Sequence, residues 1–229
     1  MRTPVTLITI AAVAALAFTP SAGFADTSVR HGNSPQVVGN GQVVTQSRAI
    51  GNFTQIEARG ASDVLVRVGP APSLAITADS NIIPQLSSEI RGDKLVLESR
   101  GSYRTRNAPR IVVTVPSLES AALSGSGNVN VEGIGGSSVA LAVHGSGNLT
   151  ATGRAGDLAV AINGSGNADA KGVVAGSASV AISGSGNATV ATSGPLSGAI
   201  SGSGNIRHLG QPSSVSVARN GSGTVIPLR

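Results

Sequence analysis

The sequence predicts an all-β fold, a single-stranded parallel β-helix (β-solenoid) with coils of about 19 residues. The first observation is a five-residue phrase, most often SGSGN, that occurs six times from residue 124 onward. The second is that the copies begin 18 to 20 residues apart, a period typical of stacked repeats. The third is that aliphatic residues alternate with small or polar residues before each copy, as in a strand with one buried face.

The phrase itself predicts a corner in every coil. A sharp turn at the same place requires a positive φ, which glycine adopts at no steric cost. The closing asparagine has two interpretations: an amide ladder along the stack, or a turn asparagine that tolerates the left-handed region or caps its own backbone. Both roles are structural. The residues concerned are Gly125, Asn128, Gly145, Asn148, Gly164, Asn167, Gly184, Asn187, Gly202, Asn205 and Gly221.

The residues between the phrases predict two or three short strands per coil. Leu158-Ala159-Val160-Ala161-Ile162 alternates with a period of two before one phrase, and Val129-Asn130-Val131 resumes the alternation after another. In the last coil, Arg219 occupies a position that is aliphatic in the earlier coils. We expect this charged residue to end the stack and to oppose end-to-end growth.

Residues 42 to 119 repeat less clearly but are still strand-like. Alternating or β-branched runs occur at 64–68, 94–97 and 111–116. Degenerate echoes of the phrase are visible at Gly60-Ala61-Ser62-Asp63 and at Asp79-Ser80-Asn81. We therefore expect the β-helix domain to extend from residue 47 to residue 229.

The N-terminus has the pattern of a bacterial export signal. Arg2 precedes a fourteen-residue apolar run, and Gly23-Phe24-Ala25 has small residues at the two positions that a signal peptidase recognises. The run is short for a spanning helix, which needs about 20 residues. We predict a signal peptide over 1–25, a flexible N-terminal arm over 26–46, and no transmembrane segment in the mature chain. The expected destination is the periplasm, the outer surface or the medium of a bacterium.

Composition excludes several classes of function. The chain has no cysteine, so disulfides, thiolate metal sites and a cysteine nucleophile are excluded. After cleavage, Phe53 and Tyr103 would be the only aromatic residues, too few for a base-stacking platform. The net charge of +5 is concentrated between Arg91 and Arg110, which argues against a nucleic-acid surface.

This basic segment is nevertheless the most distinctive chemical cluster in the sequence. Gly101, Asn107 and Pro109 predict that it projects as a loop between strands. One interpretation is a solubilising loop, and the other is a recognition loop for an anionic glycan or an acidic protein partner. Its candidate recognition residues are Arg100, Tyr103, Arg104, Arg106 and Arg110.

Catalysis is not supported by the repeat region. Polysaccharide-acting β-helix enzymes need two facing carboxylates or a metal with a base, whereas Glu132, Asp157 and Asp169 stand at different positions of their repeats. The histidines are scattered, and the GSGN phrase lacks the lysine and helix of a phosphate-binding loop. We expect no enzyme activity, catalytic residue, metal or cofactor, and keep a polysaccharide-acting enzyme as a minor alternative.

Taken in order, these features resemble a known family, the GIN domain, described as a putative auto-transporter adhesin head and catalogued as a domain of unknown function. The similarity extends from about residue 47 to residue 227. It is carried by Arg48, Phe53 and Ile56, by Gly60 with Asp63-Val64, by Asp79 to Ile83, by Gly92 to Leu97, by Ile111 to Leu118 and by the tandem SGSGN coils. The resemblance implies a parallel β-helix in exported bacterial proteins and no catalytic residues.

Two functional classes follow from these observations. The first is an interaction module of the cell envelope or surface, similar to an adhesin head, with an envelope protein or an anionic glycan as partner and with self-association possible. The second is a structural envelope solenoid without a specific ligand. Binding to cells, glycans or one envelope protein would favour the first class.

Overall fold

The computed structural model describes residues 36–228. The predicted signal peptide over 1–25 and the first part of the predicted arm, residues 26–35, lie outside the described residues. The described chain is built from β-strands with a single turn of 3-10 helix at Ile83–Gln85. The predicted all-β class is confirmed.

Eighteen strands follow one another within residues 36–228. They are β1 (Val37–Val38), β2 (Val43–Arg48), β3 (Gln55–Gly60), β4 (Asp63–Val68), β5 (Ser73–Asp79), β6 (Leu86–Arg91), β7 (Lys94–Ser99), β8 (Tyr103–Arg104), β9 (Arg110–Val115), β10 (Ser120–Gly125), β11 (Asn128–Gly145), β12 (Asn148–Gly164), β13 (Asn167–Gly184), β14 (Asn187–Thr192), β15 (Pro195–Gly202), β16 (Asn205–Leu209), β17 (Ser214–Asn220) and β18 (Thr224–Pro227).

The coils stack as a parallel β-helix of about five turns, as the sequence predicted. The strand segments before the corners pair in parallel and in register, so that Gly125, Gly145, Gly164, Gly184 and Gly202 lie side by side. The segments after the corners form a second parallel face that runs from β4 through β11, β12, β13, β14 and β16 to β18. The long strands β11 to β13 pass from one face to the other through register shifts.

Small aliphatic side chains form one continuous core inside the coils. The alternation of the sequence places Val143, Ile162, Ile182 and Ile200 in neighbouring strands, where each is at most 3% exposed. Stacking like residues at about 4.8 Å removes nearly all of their apolar surface from water. Phe53 is the one aromatic residue buried in the described core.

The corner glycines have the backbone conformation that the repeat predicted. In the six phrases, φ of the first glycine lies between 118° and 139°, and Gly60 in the degenerate echo has φ 104°. No other residue type has a positive φ within residues 36–228. The asparagines therefore do not occupy the left-handed region, which was one of their two interpretations.

The N-terminal end of the solenoid is not purely parallel. β2 pairs antiparallel with β5, β5 with β9, and β6 with β7. The parallel stack joins this region where β3 pairs with β7 and β4 with β9. These antiparallel strands cover the first coils, which explains why residues 42 to 119 lack the regular period.

The flexible arm predicted over 26–46 is corrected for residues 36–46. β1 pairs in parallel with β8, and β2 pairs with β5 through six residues. The Arg48 guanidinium fixes the end of β2 by donating to the carbonyl oxygens of Leu86 (2.7 Å) and Ile83 (3.3 Å). The exposed surface of β2 explains the error, because its backbone is paired while few of its side chains are buried.

The C-terminal end has the charged residue that the sequence placed there. Arg219 in β17 stands beside Ile200 in β15, and it is exposed where its neighbour in the column is buried. Most of β17 is exposed as well. The column that contains Ile200 therefore stops at the penultimate coil, whereas Val217 and Val225 of the last coil still pack against the core.

Candidate recognition surface

The asparagines at the corners form a continuous ladder of side-chain amides. Each amide nitrogen donates to the side-chain oxygen of the previous coil. The donor–acceptor distances are 2.8 Å for Asn128 to Asp63, 3.2 Å for Asn148 to Asn128, 3.1 Å for Asn167 to Asn148, 3.0 Å for Asn187 to Asn167 and 2.9 Å for Asn205 to Asn187. The ladder has one polarity, since all of these N–H groups point toward the N-terminal end.

A different residue closes the ladder at each end. Thr224 donates its hydroxyl to Asn205 Oδ1 at 2.6 Å. At the other end, Asp63 has only acceptor oxygens, so it receives Asn128 and donates nothing onward. The ladder therefore links the corner of every coil and ends on a carboxylate among the N-terminal strands.

The structure separates the five candidate residues of the basic segment. Arg100 pairs with Glu89, which Arg91 also contacts at 3.0 Å. The hydrogen bond from Arg91, together with the charges of both arginines, lowers the pKa of Glu89 from its ordinary value. Tyr103 is half-buried and packs against the core. Arg100 and Tyr103 are therefore engaged by the fold itself.

Arg104 and Arg106 are two of the candidate residues whose side chains have no partner among the described residues. Both are exposed, and their guanidinium groups make no hydrogen bond or ion pair to the described residues. The backbone that carries them is nevertheless anchored, because Thr105 and Asn107 donate to the carboxylate of Asp79 at 2.6 and 3.0 Å. The segment lies between β7 and β9, as the sequence predicted for a loop between strands, and these hydrogen bonds make it an ordered support for two cations.

Arg110 belongs to a different place, a groove on the outer face of β9, β4 and β11. The groove has a volume of about 350 Å³. Its polar lining comprises Asp63, Arg67, Arg110, Asn128, Asn130 and Glu132, and the side chain of Leu65 also lines it. No local sequence pattern indicates the groove, because its residues come from segments up to 69 positions apart, counted from Asp63 to Glu132. The sequence feature that could have indicated the groove is the degenerate copy of the phrase at Gly60 to Asp63, because it aligns β4 with the coils.

Hydrogen bonds order one side of this groove. Arg67 Nε donates to Glu132 Oε2 at 3.0 Å, and Asn130 Nδ2 donates to Glu132 Oε1 at 3.2 Å. Arg110 forms no hydrogen bond or ion pair with side chains of the described region. The groove thus contains a fixed ion pair and a free guanidinium.

A second group of charges lies on the other face and is internally paired. Glu57 contacts Arg59 at 2.7 Å and Lys94 at 3.6 Å. Burial alone would raise the pKa of Glu57, but the hydrogen bond and the charge of Arg59, with those of Lys94, lower it below its ordinary value. These cations are occupied and offer little to a ligand.

The described part of the chain contains no group of three or more His, Asp or Glu side chains placed to hold a metal ion. Asp157, one of the coil carboxylates, accepts a hydrogen bond from Ser177 at 2.6 Å. Within residues 36–228 we find no helix with the length and hydrophobicity needed to cross a membrane.

Comparison with protein families decides what kind of protein this is. The family model described as "putative auto-transporter adhesin, head GIN domain" matches residues 52–212. The chain belongs to this family. The resemblance that the sequence motifs indicated is thus confirmed, and a search of curated proteins finds no match to this GIN-domain protein.

Solved structures show the same fold at low sequence identity. A putative adhesin from Bacteroides fragilis NCTC 9343 is similar with a TM-score of 0.66 and 21% identity, over 84% of this chain and 100% of that one. A protein from Parabacteroides distasonis ATCC 8503 named as a putative lipid binding protein has a TM-score of 0.56 and 21% identity, over 85% and 100%. A putative adhesin from the same organism has a TM-score of 0.54 and 20% identity, over 85% and 100%.

Proposed function

We propose that this GIN-domain protein is an exported, non-enzymatic recognition module of the bacterial envelope or surface, similar to an adhesin head. The observation that carries the proposal is the uneven distribution of charge over a regular scaffold. Sixteen acidic and basic residues lie between positions 47 and 120, whereas eight lie between 121 and 229. The groups able to recognise a partner lie mainly on the N-terminal strands. The long repeat region serves as their scaffold.

Membership of an adhesin-like family favours a surface or exported location. We therefore expect the chain to be cleaved after Ala25 during export to the periplasm or beyond, because the leader has the charged start, apolar run and small residues of a signal peptide. Mass spectrometry of the native protein is expected to find Asp26 at the N-terminus. A native protein that begins at Met1 contradicts export by this route.

Arg104 and Arg106 are proposed to bind an anionic partner, either an acidic envelope protein or an anionic glycan. We expect the double variant R104S/R106S to lose binding to heparin and lipopolysaccharide in a surface-binding assay, because both free guanidinium groups are removed. Its free energy of unfolding is expected to stay within about 0.5 kcal/mol of the wild type, since both side chains are exposed.

The matched control is R154S/R207S, which removes two arginines from the coils and lowers the net charge equally. This control is expected to retain binding. Equal losses in the two double variants would show that net charge, and not the basic segment, determines the binding. Absence of binding by the wild type would remove the recognition role of Arg104 and Arg106.

The alternative is a structural envelope solenoid with no specific ligand. The regular ladder and core favour it, since both are uniform along the coils and present no distinctive cluster. A pull-down of the mature protein with envelope extracts, glycans and cells separates the two functions. Reproducible capture of one partner supports the recognition module. A protein that binds nothing under all of these conditions supports the structural solenoid.

A further inference from the structure

The groove on β9, β4 and β11 has the layout of a small-ligand site. Alternation of the strands points Val64 and Val66 inward and places three rows of side chains outward. The first row contains Arg110, Asp63 and Asn128, and the third contains Arg67 and Glu132. Leu65 lies midway between them in β4 and is 8% exposed. The result is a floor formed by Leu65 and by Asn130, its partner in the middle row, between two charged walls.

The dimensions suit a small polar ring. Asp63 and Arg67 are four residues apart on one strand, which separates the two walls by about 13 Å at the backbone. The groove volume of about 350 Å³ lies at the lower end of the range of small-molecule sites. No backbone edge is open here, because β4 and β9 are each paired on both sides. A peptide strand therefore cannot add to the sheet at this point.

The walls offer both donors and acceptors without a net charge. Arg110 and the terminal nitrogens of Arg67 have no hydrogen-bond acceptor among residues 36–228, since only Arg67 Nε is bonded. Asp63 Oδ2 has no hydrogen-bond partner in the described region, whereas its Oδ1 is held by the end of the asparagine ladder. Two arginines are balanced by the carboxylates of Asp63 and Glu132. An anionic ligand would approach two carboxylates, and a cationic ligand would approach two guanidinium groups.

We propose that this groove binds a neutral saccharide unit, such as the end of an uncharged glycan. A sugar hydroxyl donates and accepts at once, so it can donate to Asp63 Oδ2 and accept from Arg110. The aliphatic face of the ring packs on Leu65, which replaces the aromatic platform that the chain lacks. The proposal goes beyond the anion recognition assigned to Arg104 and Arg106 and does not depend on it.

The test is ligand-observed NMR and calorimetry on the mature protein with four neutral disaccharides: diacetylchitobiose, lactose, maltose and mannobiose. We expect at least one of them to bind. R110Q and D63N are each expected to weaken that binding by about tenfold, because each removes one charge-assisted hydrogen bond. D63N keeps a side-chain oxygen that can accept from Asn128, so the ladder is preserved.

The matched control is R207Q. Arg207 lies on the same outer face, in the row that runs from Leu65 through Asn130, Thr150, Asp169 and Thr189, but five strands away from Leu65. R207Q is expected to bind the disaccharide as tightly as the wild type does. If D63N fails to fold, R110Q remains decisive, since the Arg110 side chain contributes no bond to the described fold.

The proposal would be overturned by no binding of any neutral disaccharide, by unchanged binding in both R110Q and D63N, or by an equal loss in R207Q. Binding of a sulfated heparin disaccharide alone would also overturn it and would assign the groove to anions. Because R104S/R106S leaves the groove intact, that variant is expected to bind the neutral disaccharide normally. The two recognition proposals can therefore fail separately.

Discussion

Replacing Gly164 with valine is expected to destabilise the protein by about 3 kcal/mol or more. Gly164 has φ 123°, a conformation that a β-branched residue adopts only with strain. A Cβ atom here would also lie 2.5 Å from the carbonyl oxygen of Gly145 in the neighbouring coil. That oxygen accepts hydrogen bonds from Ser165 and Gly166, so it cannot move aside without breaking the corner.

Two glycine variants separate the causes of this effect. Gly92 has φ 61° and no atom within 4 Å of its Cβ position, so G92A measures the backbone strain without a clash and is expected to cost about 1 kcal/mol. Gly136 has neither a positive φ nor a close neighbour, and G136A is expected to be nearly neutral. Denaturant unfolding of the three variants gives the comparison. G164V with the stability of G136A would show that the corner is not constrained.

The corners show how far the repeat could be interpreted from sequence. The phrase predicts one positive-φ glycine per coil and an asparagine ladder as one of two alternatives, and both features are present in the structure. The second glycine of the phrase is required for a different reason. Gly147 has no positive φ, but its Cβ would lie 2.6 Å from Leu123 Cδ2 in the previous coil. Only the contact between coils reveals that requirement.

The N-terminal strands were less predictable because their pairing is not repeated. Asp79 resembles an echo of the phrase in the sequence, yet it ends β5, which pairs antiparallel with β2 and β9. The residues that pair with β5 lie 26 to 41 positions away from their partners, and no local pattern identifies them. Strand β2 gives a weak hydrophobic signal for a different reason, because few of its side chains are buried.

The candidate site was predicted only in part. Arginines that are neighbours in sequence diverge in the fold: Arg100 pairs with Glu89, Arg104 and Arg106 stay free, and Arg110 enters the groove. Arg67 and Glu132, by contrast, are 65 positions apart and meet at 3.0 Å because the coil register aligns them. Local composition can locate a basic segment. A groove that crosses three strands can be located only when the register of those strands is known.

Asp79 should be the most sensitive polar position among the N-terminal strands. Its carboxylate is buried and accepts hydrogen bonds from Thr105 at 2.6 Å and from Asn107 at 3.0 Å. It therefore joins the end of β5 to the segment that carries Arg104 and Arg106. D79A removes the buried acceptor that Thr105 and Asn107 share, and we expect its melting temperature at pH 7 to fall by more than about 5 °C.

The same bonds predict a dependence on pH. The hydrogen bonds from Thr105 and then Asn107 lower the pKa of Asp79 below its ordinary value of 3.8. Since the folded pKa is the lower one, the stabilisation is complete above about pH 4 and is lost as the pH falls through the folded pKa. In D79N this contribution to the acid transition is expected to disappear, because the side chain no longer titrates.

D93A is the matched control, since Asp93 is an exposed aspartate whose side chain makes no hydrogen bond in the described structure. Its melting temperature is expected to equal that of the wild type. Hydrogen exchange localises the effect. The amides of Val37 and Gly39, which donate to Ser102 and Arg104, are expected to lose protection in D79A, while those of Val160 and Ile162 keep it. If D79A melts like D93A and these amides stay protected, the carboxylate does not hold the N-terminal strands to the solenoid.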